Sequence, residues 1–81
     1  MNAAFMFVNI RNDPVLQEVS SLTGVTECHA LTGVFDGVVK VEAEDMACLT
    51  RLCRLIRRFE GVTHSLTLPV VSSQVKGEDC P

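Results

Sequence analysis

The chain has no tryptophan and no tyrosine, few prolines, and only seven lysines and arginines to set against ten acidic residues. Each shortage excludes something. A net charge of −3 with dispersed acids leaves no broad basic field to draw a polyphosphate, so direct nucleic-acid binding is disfavoured. No apolar run approaches the ~20 residues a bilayer-crossing helix needs. The segment after Met1 lacks the basic stretch and long apolar core of a secretory leader, so a cytoplasmic protein with no membrane partner is expected. Cys28, Cys48, Cys53 and Cys80 follow neither a paired secreted framework nor a two-residue metal spacing. They read as reduced thiols, with no metal and no cofactor: Cys28, Cys48 and Cys53 as small buried hydrophobes, Cys80 as a tail thiol.

What is present is apolar. Hydrophobic residues make up 47% of 81 residues and charged ones only 21%. A domain this small buries little more than half of its unfolded surface, so its core is marginal and association with further copies is the expected supplement. The basic residues cluster as Arg51, Arg54, Arg57 and Arg58 on one helical segment, which reads first as a solvated face whose last members complement the helix C-terminus.

The order of elements follows from periodicity. Ala3 to Arg11 is apolar at nearly every position until Asn9, with Phe5 and Phe7 on one side and Met6, Val8 and Ile10 on the other, as in a central strand covered on both faces. Asn12-Asp13-Pro14 supplies a helix start, with Asn12 or Asp13 as cap, and Val15, Leu16, Val19 and Leu22 follow at helical spacing until Gly24. Val25 to Thr32 is extended with weak alternation, as at a sheet edge. Val38 to Ala43 is a further strand, with Val39 and Val41 opposite Val38, Lys40 and Glu42. Glu44 and Asp45 open a longer helix whose buried stripe is Met46, Leu49, Leu52, Cys53 and Ile56, ended by Gly61. Val62 to Val71 is a last strand alternating Val62, His64, Leu66, Leu68 and Val70 against Thr63, Ser65, Thr67 and Pro69. A single domain over 1–71 and a polar, frayed tail over 72–81 are expected.

This is βαββαβ, and its halves match: Leu22-Thr23-Gly24-Val25-Thr26 in one, Phe59-Glu60-Gly61-Val62-Thr63 in the other. The predicted fold is an α+β ferredoxin-like sandwich, a four-stranded antiparallel sheet with two helices on one face and the last strand at an edge beside the first. The uncovered face keeps apolar side chains from the first and last strands, so a second subunit is expected to cover it, giving a dimeric α+β barrel arrangement.

Between the second and third strands lies the turn Thr32-Gly33-Val34-Phe35-Asp36-Gly37. Backbone amides and a carboxylate converge there, and the same turn reads equally as a plain hairpin whose carboxylate caps backbone. With Ala4-Phe5-Met6-Phe7-Val8-Asn9, Gly24-Val25, Thr32-Gly33-x-x-Asp36, Val39 to Asp45, and Phe59-Glu60-Gly61-Val62 running into Ser65-x-Thr67, residues 3 to 71 resemble the ligand-binding, or RAM, domain of the Lrp/AsnC transcription regulators. The resemblance implies a stand-alone form without the DNA-reading helix-turn-helix. It further implies dimers assembled into octamer- or decamer-type rings, and a small amino acid effector bound between dimers. Full-length Lrp/AsnC regulators are implied as possible co-assembly partners. It places the effector against Thr32, Gly33, Val34 and Asp36, with Ser65 and Thr67 on the last strand. Asp36 and the turn amides suit the ammonium and carboxylate of a free amino acid. Many family members carry a polar or acidic residue where Val34 stands.

No catalysis is expected. Dimeric α+β barrel enzymes of isomerase or cofactor-poor monooxygenase type share the topology, and would need a base that only His29 or His64 offers in the ordinary titration range. A purely structural partner of full-length regulators is the other alternative.

Overall fold

The computed structural model describes residues 1–71. Expectations for the tail over 72–81 and for Cys80 lie outside the described residues. The elements are β1 (Asn2–Ile10), α1 (Asp13–Ser20), β2 (Val25–Ala30), β3 (Gly37–Ala43), α2 (Met46–Arg57) and β4 (Val62–Pro69). The sheet order is β2-β3-β1-β4 with every pairing antiparallel, which is the ferredoxin-like arrangement the alternation predicts.

Strand β1 is central because it can satisfy neighbours on both edges and both faces. Ala4, Met6 and Val8 are fully buried on one face, packed with Val39 and Val41 of β3, Val15 and Val19 of α1, and Leu49, Cys53 and Ile56 of α2. One core therefore sits between the sheet and both helices. The other face carries the rungs Val38–Phe7–Leu66 and Lys40–Phe5–Leu68, running across β3, β1 and β4. Leu66 and Leu68 are nearly half exposed there, and Phe5 is 36% exposed. The Lys40 Nζ lies 5.7 Å from the Phe5 ring centre and reaches Glu42 at 3.6 Å, so the charges form a border to the apolar patch.

Several local expectations are corrected. Met46 is exposed, not buried: as the first residue of α2 it overhangs the sheet end beside Thr67 and Pro69. Cys48 is exposed because it lies on the outward side of α2, whereas Cys28 is half-buried and Cys53 buried. The helices end at Ser20 and Arg57, earlier than Gly24 and Gly61, which instead turn the chain into the next strand at φ +100°. Asn12 occupies the cap position of α1 without a side-chain bond, while Asp45 caps α2 by accepting from the Cys48 N–H at 2.8 Å, a bond that holds its carboxyl below the usual range. The strands β2 and β4 stop at Ala30 and Pro69, before Thr32 and Val71. In β4 a register shift pairs Val62 with Ile10 and His64 with Asn9, so Val62 packs toward the core and leaves the face of His64, Leu66 and Leu68.

The tight entry to β4 is enforced by Gly61. Its carbonyl accepts from the Arg11 N–H at 2.7 Å, and a Cβ on it would lie 2.4 Å from the Val15 side chain. Gly61→Ala is expected to lose roughly 1–2 kcal/mol from the left-handed backbone alone, with overpacking of Val15 adding typically about 1–3 kcal/mol. Urea unfolding at fixed protein concentration measures it, and an unchanged midpoint contradicts this role.

Candidate functional site

The β2–β3 turn is held by strand β1 more than by itself. The Leu31 N–H donates to the Asp36 carbonyl at 2.8 Å, closing the loop, and the Asp36 N–H donates to the Val8 carbonyl at 2.9 Å. The Asp36 Oδ2 accepts from the Ile10 N–H at 2.9 Å and from the Asn9 amide at 3.4 Å. The same Asn9 Nδ2 donates to the Val34 carbonyl at 2.9 Å. Asp36 therefore does cap backbone, but that of β1 across the sheet end. The hydrogen bonds that the Asp36 side chain accepts among the described residues all use Oδ2.

The turn straddles the sheet end. Phe35 packs on Phe7, ring centres 5.7 Å apart and tilted at 45°, which ties the loop to the open apolar face. Asp36, in contrast, lines a cleft of about 560 Å³ together with Ile10, Arg11, Asn12, Asp13 and Leu31, under the start of α1. That cleft carries a guanidinium and carboxylates within one opening, the charge pattern complementary to a zwitterion. Arg11 is only loosely held, its Nη1 3.8 Å from Glu60 with both side chains mostly exposed.

Thr32, Gly33 and Val34 form the exposed tip, and Val34 is 84% exposed. Gly33 has φ +130° with open space around it, a backbone conformation that glycine adopts without steric cost. Ser65 and Thr67 are elsewhere in the chain. They pair with Val8 and Met6 from the far side of β1, and Thr67 lines a shallow cleft with Met46 and Leu49 of α2. Gly37, Val8 and Ser65 share one rung, which puts Ser65 about 10 Å, two strand spacings, from the base of the turn. One chain brings Thr32, Gly33, Val34 and Asp36 together, and leaves Ser65 and Thr67 on the other side of β1.

Two participants escape a reading by motif. Asn9 was visible only as the polar interruption of an apolar strand and Arg11 only as the end of that segment; the pairing that brings Asn9 to Asp36, and Arg11 to the same cleft, is not written in either residue. His29 and His64 stand on the opposite edge strands, both exposed, with the His29 Nε2 3.2 Å from Glu27. Among the described residues no group of three or more His, Cys, Asp or Glu side chains is placed to hold a metal, and no helix is long and apolar enough to cross a membrane.

The model of one protein family, the Lrp/AsnC ligand binding domain, matches residues 3–79. No curated protein matches the chain in sequence. Among solved structures, a protein of Thermus thermophilus is 25% identical with a TM-score of 0.81, the match covering 93% of this chain and 99% of that one. E. coli AsnC is 22% identical with a TM-score of 0.78, over 91% of this chain and 53% of AsnC, a likeness of fold. A transcriptional regulator of Neisseria meningitidis, solved as a complex with L-Met, is 25% identical with a TM-score of 0.71, over 88% of this chain and 50% of that one. The chain thus spans about half the length of these two regulators.

The pinning of the turn by Asn9 has a measurable size. Asn9→Ala removes the side-chain bonds to Val34 and Asp36 and is expected to cost about 1 kcal/mol locally, or roughly fivefold faster hydrogen exchange at the Leu31 and Asp36 amides. Exchange unchanged at both amides contradicts the role assigned to Asn9.

Proposed function

Because the chain belongs to the Lrp/AsnC ligand binding domain family, we propose that it is a non-catalytic sensing and assembly module that binds a small amino acid between subunits. The domain is taken as residues 1–71, the part whose core is described. The open face of Phe5, Phe7, Val38, Leu66 and Leu68 is the surface a second copy covers, and higher assembly of those dimers completes the effector site. Mixed assembly with full-length regulators of the same family follows from the same surfaces.

The observation that carries the effector reading is Asp36, whose Oδ2 is fixed by β1 and which lines the cleft under the start of α1. A carboxylate already oriented by the Ile10 N–H and the Asn9 amide accepts an ammonium without reorganising. Thr32 and the amides around Gly33 and Val34 supply donors for the carboxylate end, and Arg11 adds a cation in the same cleft. Ser65 and Thr67 contribute hydroxyls only if a neighbouring chain presents them, which suits a junctional site. The exposed Val34 at the tip gives an apolar contact, so effectors with apolar side chains are favoured. The methionine in the complex of the Neisseria regulator is of that kind.

An enzyme of the dimeric α+β barrel type would be expected to place a base where a substrate is enclosed. His29 and His64 on opposite exposed edges give that reading no support within one chain.

A thermal-shift screen of the free amino acids, L-methionine first, tests the proposal. At tenfold over Kd a ligand of the native state adds about 1.4 kcal/mol, several degrees for a domain of this size. Asp36→Asn, which keeps an acceptor for Ile10 but removes the charge, is expected to abolish the shift with a melting point close to that of the parent. No shift from any amino acid leaves the structural partner as the better account, and turnover lost on replacing His29 or His64 would establish an enzyme.

A further inference from the structure

Helix α2 contains no aspartate or glutamate, yet Arg51, Arg54, Arg57 and Arg58 lie on it or at its C-terminal cap, all exposed. The chain's net charge is −3, so its other residues together carry −7 and positive charge is gathered on this one helix. The ion pairs among the described residues engage Arg11, His29 and Lys40 and none of these four. Arg51 reaches the Asp45 carboxyl only as a lesser influence, after the bond from the Cys48 N–H. Arg51 and Arg54 stand three residues apart and Arg54 and Arg58 four apart, the spacings at which like charges on a helix repel. A face selected only for solvation lowers its energy by placing acids at those spacings, and α2 has none.

The arginines are also ordered. Arg51, Arg54 and Arg58 make one row, about 10 Å long at the α-helical rise. Beside it Cys48, Leu52 and Leu55 recur at i, i+4 and i+7, the spacing of a heptad seam, and both rows line one groove of about 520 Å³. This seam is distinct from the stripe of Leu49, Cys53 and Ile56 that the helix buries on the sheet. Leu52 fixes it from below, packed against the core and so close to Gly24 that a Cβ there would lie 2.6 Å from its Cδ2. Helix α2 therefore carries a second apolar stripe bordered by charges of a single sign.

That pattern selects among partners. Two copies meeting through α2 would set arginine against arginine, which disfavours self-pairing. Helix α1 of a second copy offers Asp13 and Glu18, but among the described residues it exposes no large hydrophobic to lie on the apolar row. A nucleic-acid backbone would use the cations and leave the apolar row idle, and α2 has no aromatic side chain on which a base could stack. A helix with apolar residues at heptad spacing and carboxylates on its flank meets both rows at once. We propose that the outward side of α2 docks an acidic amphipathic helix of a partner protein, with its apolar seam on Leu52 and Leu55 and its carboxylates on Arg51, Arg54 and Arg58. The surface is neither the effector turn nor the open sheet face, and its test fails independently of both.

The probe is a fluorescein-labelled three-heptad peptide with leucine at a and d and glutamate at e and g, whose own repulsion keeps it from pairing with itself. Its counterpart has lysine for every glutamate. Fluorescence anisotropy with the full chain at about 50 mM salt is expected to show at least tenfold tighter binding of the acidic peptide, a preference that shrinks severalfold at about 300 mM, where exposed charges are screened. Backbone amide NMR shifts caused by the acidic peptide should centre on residues 48–58. The triple variant Arg51→Glu, Arg54→Glu and Arg58→Glu is expected to reverse the preference toward the lysine peptide. Leu55→Ser, at an exposed position, should weaken the acidic peptide severalfold while leaving the melting point unchanged. Equal affinity for the two peptides, shifts centred on Phe5, Phe7, Leu66 and Leu68, or a Leu55→Ser variant that binds as the parent does each overturns the proposal. So does tighter binding of a random-sequence DNA duplex or of phosphatidylglycerol vesicles than of the acidic peptide, which assigns the arginines to nucleic acid or to lipid.

Discussion

Everything in this fold follows from a central strand that is apolar on both sides. Met6 and Val8 need a roof and find it in the two helices; on the other face, among the described residues, Phe7 has Phe35 beside it and Phe5 has the Lys40 side chain over it, and no helix covers either. Two helices of eight and twelve residues cover one face of a four-stranded sheet and no more. Val38, Phe7 and Leu66 on one rung and Phe5 and Leu68 on the next form a contiguous, partly exposed apolar patch, and its border of Lys40, Glu42 and Glu27 resembles the polar rim of an interface.

The β2–β3 turn inherits its geometry from that same strand. Val8, Asn9 and Ile10 hold Asp36 through one backbone carbonyl, one side-chain amide and one backbone N–H. Phe35, next to Asp36, lies on Phe7 of the open face. A partner that covers Phe7 therefore also presses on the loop that presents Asp36 to its cleft. The loop is thus tied to both faces of the sheet through one strand.

The fold was largely legible because strand alternation and helical stripes are strong where burial is one-sided: Val39 and Val41 against Lys40 and Glu42, or Leu49, Cys53 and Ile56 along α2. Legibility failed at ends and irregularities. Met46 carries an apolar side chain at a helix terminus where nothing remains to bury it. The register shift before His64 turns Val62 to the core, and no residue announces it. At the site, Gly33 and Asp36 were readable as turn formers with ligand capacity, whereas the roles of Asn9 and Arg11 depend on pairing across β1. The separation of Ser65 and Thr67 from the turn likewise depends on which side of β1 the last strand takes. Register is a tertiary fact, set by the sum of the core contacts and not by local sequence.

The claim on which the account turns is that a second copy covers Phe5, Phe7, Leu66 and Leu68. Sedimentation equilibrium of the full chain at micromolar concentration, beside Leu66→Lys, tests it directly. The account predicts at least twice the mass of one chain for the parent and a shift toward single chains for the variant, which leaves the helix-side core untouched. A parent that sediments as single chains at that concentration contradicts it, and so does a variant that associates as strongly as the parent.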